Sequence, residues 1–594
     1  MGAAFFINGK CWQELKGLDE RFFLWFEEVD FCKRAKEALR QASATGGSFR
    51  GGLGDNKGHT GWEVVWLPFP AVRHIGGASF SQRPRMQNQL QFFSSARKYL
   101  LKHRNNPPFW FDRNVFWIAA SLTVLFELLS FWGHEVPMVG AIGLAAIALI
   151  ALVFGLRDPV WPVALIIAEL AIGSKGYGLV LPLAGGAVSI RMALFAVAVA
   201  VGFFWMIKTR ARALRSFVHK QRALAFSWLG LVVFILWGVV RGLALHNPIG
   251  TFFFDVSPWL FLLLLPSFLV GITSRDHAKT VVSALLGASV MFAAKTLFLL
   301  YVFTHDYSFF FLPTLYHWVR DTGNAEVTQL GENLWRIFAQ SHLYTIIALF
   351  LLLALGPSGG ALTFWAGALS VATILISLSR SFWFGIAAAL LLLTLLPVAR
   401  ARLRLAGARA SALRILFVGL SGAALLFAVA RFPFPRAPGG LTMSVFVERV
   451  SNLSEEAAAR SRWELLPALW HEVESAPLLG KGFGSTVRYR SADPRAIANS
   501  TQGVFEAYRF EWGYLDVWLK MGIGGLLALL LLLVVLGRRL LALIRKGDEG
   551  YQSFLFGLLS GLLIVSFTHI TSPYLNHPLG IGYLLFATSV LSVI

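Results

Sequence analysis

The chain is short of cysteine and of charge. Two cysteines, Cys11 and Cys32, serve 594 residues. Both precede the first long apolar run, so the polar intervals further on are not held by a disulfide framework. Charged residues make up 14% of the chain and hydrophobic ones 56%. A soluble fold does not carry repeated apolar runs of roughly 17 residues or more, which excludes a water-soluble globular protein. No signal peptide is expected either. The stretch from Ala3 to Ile7 is too short for an apolar signal core and has no basic start. No two halves read as a repeat, a relation that many transporters show.

Acid is scarcer than base: 32 acidic residues face 53 basic ones, a net charge of +21. Such an excess raises the question of nucleic acid, but its placement argues for topology instead. Lys208, Arg210, Arg212, Arg215, Lys220 and Arg222 form one cluster. Arg400, Arg402, Arg404, Arg409 and Arg414 form a second, and Arg538, Arg539, Arg545 and Lys546 a third. Each lies in a short connection between apolar runs, the positive-inside pattern of a polytopic α-helical membrane protein.

About 14 spans are expected from run length: 115–133, 137–156, 159–172, 190–207, 224–242, 258–272, 280–303, 337–355, 362–378, 382–398, 413–430, 521–536, 554–570 and 578–594. With a cytoplasmic amino terminus, all three basic clusters fall inside, and the intervals 304–336 and 431–520 fall outside. The run 159–172 is short enough to be re-entrant.

The large interval 431–520 has a readable shape. A helix starts near Ser454, with Glu455 and Glu456 where the helix dipole favours acid. Trp463, Leu466, Trp470 and Val473 recur at helical spacing and define an apolar face of a lid, to lie against the membrane or the bundle. The stretch Pro477 to Gly484 turns the chain, and Arg488, Arg490, Arg495, Arg509 and Glu511 accompany its return to the bilayer. Gly480-Lys481-Gly482-Phe483-Gly484 is too short for a phosphate-binding P-loop.

Arginines also gather where the spans meet the outer side: Arg191, Arg241, Arg336 and Arg380, with Asp255 among them. An arginine at the bilayer centre costs about 2.5–3.5 kcal/mol on insertion scales. Snorkelling to the interface relieves one such residue. A set of them suits a diphosphate, because guanidinium pairs bidentately with phosphate oxygens and keeps its charge.

Before the first span, residues 1–80 have a soluble composition. A strand is expected over 3–8, a helix opening through Glu27, Glu28 and Asp30, and a second strand over 62–68 before His74. Carboxylates near a helix start supply a general base or merely a solvated helix end. Residues 81–114 mix basic with aromatic side chains, the composition of an interfacial segment resting on membrane lipids.

Two resemblances follow from these residues. The blocks Gly17-Leu18-Asp19-Glu20, Phe26-Glu27-Glu28-Val29-Asp30, Trp62 to Pro68 and His74 to Ser79 resemble the carboxy-terminal part of a GT-A, family-two (rhamnosyltransferase-like) glycosyltransferase domain. The resemblance puts Glu28 at the family's catalytic aspartate position, with Asp30 two residues on. The nucleotide-binding half and its metal-binding Asp-x-Asp are not in the chain. The segment is therefore expected not to bind a nucleotide sugar alone; either another protein supplies the missing half, or the segment is a degenerate fusion.

From about residue 191 onward the chain resembles the O-antigen ligase and polymerase superfamily. The blocks that carry it are Ser189 to Phe195, Ser379-Arg380-Ser381, Ser461-Arg462, Ala476 to Gly484 and Ser572 to Pro578. The ligases' histidine motif is also in register, with Gly522 and Gly525 in place, but Glu511 stands where the histidine would be. The resemblance implies an undecaprenyl-diphosphate-linked glycan donor and a sugar or lipid A-core-type acceptor at the extracytoplasmic face of the bacterial inner membrane. Glu511, or else Asp255, would take the acceptor proton. Arg191, Arg336, Arg380 and Arg462 would neutralise the departing diphosphate, with inversion and with no metal or other cofactor. Ligase and polymerase both stay open. A lipid-linked-glycan transporter is the alternative from another class, although it has no need of a lid carrying a carboxylate.

Overall fold

The computed structural model describes residues 7–20, 27–35, 95, 111–183, 186–305, 312–331, 334–354, 360–395, 408–435, 457–491, 504–546 and 549–593. The chain divides into two compact units, Met1–Asn106 and Pro107–Ile594. In the first, Asn8 caps α1 (Gly9–Glu14) by accepting the Lys10 amide at 2.9 Å. Ile7 and Asn8 lead into this helix, and residues 3–6 of the expected strand lie outside the described residues. Residues 27–35 are helical too, and Phe31 and Ala35 close on Cys11. Asp30 is buried and accepts from Arg34 at 2.8 Å, while the same guanidinium reaches the carbonyls of Leu15 and Gly17. One arginine thus ties the two helices, and Asp30 is its anchor; Glu28 lies half-buried on the same helix. The expected strand at 62–68, His74 and nearly all of 81–104 lie outside the described residues.

The second unit is a helical bundle. In chain order it contains α2 (Arg113–Glu135), α3 (Pro137–Arg157), α4 (Val160–Ile172), the hairpin β1 (Val180–Leu183) and β2 (Gly186–Ser189), α5 (Ile190–Lys208), α6 (Arg212–Lys220) and α7 (Arg222–Ala244). Next come α8 (Ile249–Gly271), α9 (Arg275–Thr304), α10 (Leu312–Asp321) and the hairpin β3 (Glu326–Gly331) and β4 (Leu334–Phe338). Then follow α11 (His342–Ala354), α12 (Gly360–Ile376), α13 (Arg380–Leu395), α14 (Ala408–Ala430) and α15 (Ala457–Ser475). The hairpin β5 (Val487–Arg490) and β6 (Val504–Ala507), α16 (Gly513–Lys546), α17 (Glu549–Thr571) and α18 (Pro578–Val593) complete it. All three hairpins are antiparallel.

Among the described residues, nine helices are long and apolar enough to cross a membrane, and five shorter apolar helices accompany them. Every expected span overlaps one of these fourteen. The short run at 159–172 becomes α4, a 13-residue helix. Arg336, expected to open a span, lies on β4, and the apolar helix begins only at His342.

The core runs through α9, α11, α17 and α18, whose residues are mostly buried. Close approach explains part of this: a Cβ on Gly287 of α9 would lie 2.3 Å from the Phe116 carbonyl of α2. Within the same helix pair, Lys295 reaches Glu127 at 2.5 Å, so two charges that would each be costly in lipid meet each other. Large apolar side chains such as Met138, Ile142 and Leu229 stay exposed on the periphery, as acyl chains require.

The two ends of α7 set the polarity of the bundle. Its first turn adjoins the basic α6, and its last turn receives the 477–484 segment, roughly 34 Å away at 1.5 Å per residue. In a Cys11→Ser, Cys32→Ser background, Arg488→Cys should react with a membrane-impermeant maleimide on intact cells, and Arg215→Cys only after permeabilisation. Equal labelling of both would overturn the assignment of sides.

Candidate functional site

The lid helix forms at the expected place, over Ala457–Ser475. Leu465, Leu469 and Val473, at i, i+4 and i+8, pack on Val487, Ala507, Phe510 and Leu519. Trp463 and Trp470 remain 60% and 42% exposed. Their rings meet Trp512 and Trp518 edge-on, with centroids 5.3 and 5.8 Å apart. The leucines fit beneath the small hairpin β5–β6, whereas an indole is better placed at a rim that is apolar on one side and wet on the other.

After the lid helix, the glycine-rich turn docks into the bundle. Trp237 Nε1 donates to the Leu479 carbonyl at 2.8 Å, and Asn247 Nδ2 donates to the carbonyls of Lys481 and Phe483 at 3.0 and 2.8 Å. Gly482 has φ +76°, and a Cβ there would sit 2.1 Å from the Gly242 nitrogen, so glycine is required on both counts. The turn also breaks α16. The Leu519 carbonyl accepts from the Lys481 amide at 2.6 Å, and the Ile523 amide donates to the Pro477 carbonyl at 3.0 Å. Those two bonds take the place of a helical one, and the chain bends at Gly522, φ +72°. The backbone of this turn is thus engaged by protein groups, in keeping with its being no phosphate-binding loop.

Beside this turn lies a buried charge cluster. Lys520 Nζ donates to Asp255 Oδ1 at 2.7 Å and to the Tyr508 carbonyl at 2.9 Å, and it stands 2.6 Å from Asp516 Oδ1. Asp255 Oδ2 accepts the Gly484 amide at 2.9 Å, and Asp516 Oδ2 accepts from Asn576 Nδ2 at 2.5 Å. Asn576 Oδ1 is buried with no hydrogen-bond partner. Asp255, the second choice for a base, therefore has both oxygens engaged deep in the protein.

The other predicted residues fall into two groups. Glu511 accepts from Arg462 on the lid helix through two contacts, Arg462 Nε to Oε2 and Nη2 to Oε1, the latter at 3.1 Å. Both side chains are partly open, 47% and 36% exposed. Arg509 turns away to donate to the Phe254 carbonyl at 2.9 Å. Arg336 donates to the Ser377 carbonyl at 2.8 Å, which brings it to the turn that ends at Arg380. That turn bends through Leu378 at φ +47°, and Ser379, Ser381 and Ser572 link it by hydroxyl contacts of 3.1 and 3.0 Å to the last interhelical loop. Arg191 is nearly buried. Its Nε lies 2.9 Å from Glu169 Oε2, and its Nη2 donates to the Ser174 carbonyl at 2.8 Å. Its charge is already balanced.

Sequence reasoning gave no role to Glu169, Asp516, Lys520, Asn576 or His577. The spacing of Asp516 and Lys520, i and i+4 next to Glu511, was the available signal. His577 lies within the Ser572–Pro578 block, but its surroundings could be found only in three dimensions. Burial, and then the nearby Arg191 and Arg509, push its imidazole down to about 3. Its Nδ1 accepts the Leu579 amide at 3.3 Å, so the neutral ring carries its proton on Nε2 and acts there as a donor.

Residues 365–530 match the family model described as O-antigen ligase. No curated protein matches the chain. The matched segment contains Arg380, Arg462, Glu511, Asp516 and Lys520; Arg191, Asp255, Arg336 and His577 lie outside it. The match supports the O-antigen ligase superfamily and glycan processing in a membrane, with glycosyl transfer as the general activity.

The buried cluster makes a stability prediction. Lys520→Met strands two buried carboxylates, and breaking a buried pair costs about 3–5 kcal/mol. Lys520→Met should sharply reduce detergent-stable protein in fluorescence-detected size exclusion. Adding Asp255→Asn and Asp516→Asn should restore much of it; failure of the triple variant to recover would show that the charges are not the issue.

Proposed function

We propose that this chain transfers a glycan from an undecaprenyl-diphosphate-linked donor to a hydroxyl of a sugar or lipid A-core-type acceptor, at the extracytoplasmic face of the bacterial inner membrane. The observation that carries the reading is the half-open Arg462–Glu511 pair, set inside the segment that matches the O-antigen ligase family. It joins the lid helix to the start of α16 and offers an anion site and a proton acceptor together.

Glu511 takes the proton of the acceptor hydroxyl. The acceptor oxygen attacks the anomeric carbon, the bond to the diphosphate oxygen breaks, and the centre inverts. The diphosphate is already a good leaving group, so no general acid is required. Arg336, Arg380 and Arg462 stabilise the charge developing on it, while Arg191, balanced by Glu169, holds the wall behind. An exposed ion pair is worth about 0–1 kcal/mol. An arriving diphosphate therefore draws Arg462 away at little cost and leaves Glu511 free to accept a proton. Asp255 is not the base in this reading, since Lys520 and the Gly484 amide hold both its oxygens.

Residues 1–80 are read as a partial GT-A-like unit, and 81–114 as its interfacial linker, with activity of that unit requiring a partner protein. Between polymerase and ligase, the glutamate in place of the ligase histidine favours a polymerase or related transferase.

Two measurements test the proposal. Cells lacking the protein should accumulate a single lipid-linked repeat unit if it polymerises, or full-length lipid-linked chains if it ligates; an unchanged lipid-linked pool would remove both. Glu511→Gln should insert and fold normally and lose turnover by roughly 10²–10⁴-fold, the usual contribution of a general base. A loss under about threefold per folded molecule, less than 1 kcal/mol by rate arithmetic, would mean that Glu511 only fastens the lid.

A further inference from the structure

A cavity of about 510 Å³ opens at the other end of α5 from Arg191, roughly 27 Å along the helix at 1.5 Å per residue. It lies on the face that bears the 208–222 basic cluster, between the carboxy-terminal ends of α3 and α5, the start of α4 and the short helix α6. Its inner wall is apolar: Pro159, Trp205, Ala213 and Val270 line it. Its rim is polar, with the guanidiniums of Arg157 and Arg212 and the hydroxyls of Thr209 and Ser216.

The charge at that rim is unbalanced. The lining carboxylate, Asp158, accepts the Val160 amide at 3.0 Å, capping α4, and its other oxygen stands 3.6 Å from His277 Nε2. His277 lines the cavity as well, so Asp158 is engaged within the cavity wall by His277 and the α4 amide. The helix that closes the cavity is amphipathic: Phe217 is buried, while Arg212, Arg215, His219 and Lys220 occupy its polar side. Two consecutive residues, Arg210 and Ala211, with φ of +50° and +55°, turn the chain from α5 into it. Left-handed non-glycine residues in succession are unfavourable, so a packing demand holds α6 against the bundle at this angle.

We propose that this cavity is a binding site for one anionic phospholipid, its phosphodiester held between Arg157 and Arg212 and an acyl chain laid along Trp205, Ala213 and Val270. The apolar wall argues against a free anion, and the paired guanidiniums argue against a zwitterionic lipid as the preferred guest. The site is remote from Glu511 and independent of the transfer reaction. Its occupant would fix α6 to the bundle and anchor the basic face to its leaflet.

Native mass spectrometry of the delipidated full chain tests this, with palmitoyl-oleoyl phosphatidylglycerol and phosphatidylcholine as probes. The wild type should take up one phosphatidylglycerol ahead of phosphatidylcholine. Arg157→Gln with Arg212→Gln should erase that preference by roughly thirty-fold, the equivalent of about 1 kcal/mol for each basic residue. Ala213→Phe, which fills the apolar slot and leaves both charges, should also expel the lipid, so the result does not hang on charge removal. Arg215→Gln with Lys220→Gln lies outside the lining and should leave binding unchanged. Equal uptake by the double variant and the wild type, or equal loss in the Arg215/Lys220 control, would overturn the site in favour of a diffuse basic surface. Displacement by millimolar inorganic phosphate would make it a free-anion site. Preferential retention of a polyprenyl phosphate would assign it to the glycan carrier and overturn the phospholipid.

Discussion

A lysine buried in a membrane protein must be neutralised where it stands, and Lys520 meets that demand with two near neighbours in sequence and one distant residue. Asp255 comes from α8, Asp516 from one turn earlier in α16, and the Tyr508 carbonyl from the end of the lid. Asn576, from the last interhelical loop, joins through Asp516. Two carboxylates and one ammonium leave an excess of negative charge, which the Gly484 amide and the Asn576 amide offset by donating to the outer oxygens. Because each member is costly without the others, the cluster fixes the lid, the kinked helix and the final loop in one geometry. Such a network is poor evidence for stability as such; its contribution is register.

The glycine-rich turn makes the same point with backbone groups. It puts its own amide and carbonyl into the ladder of α16, so helix and turn complete each other's hydrogen bonds. The bend falls at Gly522, the position where this sequence keeps the glycine of the ligase pattern. That glycine is therefore explained by geometry: a Cβ there would lie 2.2 Å from the Leu478 carbonyl. Since the kink sits eleven residues after Glu511, that spacing measures the distance from the open Arg462–Glu511 pair to the point where the lid's turn plugs into α16.

Much of the bundle was legible because apolar length is a one-dimensional property, and each expected span overlies a helix. Boundaries were less so. The span expected at Met521 is part of a helix that starts at Gly513, because Asp516 and Lys520 neutralise each other and allow polar residues into it. The lid's apolar stripe was legible, but which side packs on protein was not: Leu465 and Leu469 take the core, while Trp463 and Trp470, each with a large ring and a polar edge, stay on the rim. Among the site residues, Glu511 and Arg462 were visible as types, yet their partnership spans 49 positions and no local pattern reports it. His577 lay within the Ser572–Pro578 block, but its surroundings could not be read, since Arg191 and Arg509 lie far away in sequence.

The ion pairs of this protein divide by exposure, and the division bears on what each can do. Lys520 with its aspartates, and Arg191 with Glu169, are nearly sealed from water. Opening either would strand a charge in low dielectric, at a cost of several kcal/mol. Neither is suited to trade its partner for a passing ligand. The Arg462–Glu511 pair is open to solvent on both sides, and its strength is correspondingly small. A multiply charged phosphate competes well for a guanidinium of that kind, since it offers more negative charge and the same bidentate geometry. In the proposed reaction, acid and base chemistry therefore falls to this solvent-open pair, with the sealed ones serving as its frame. Stability and reactivity are assigned to different charges in one fold, and water access decides which is which.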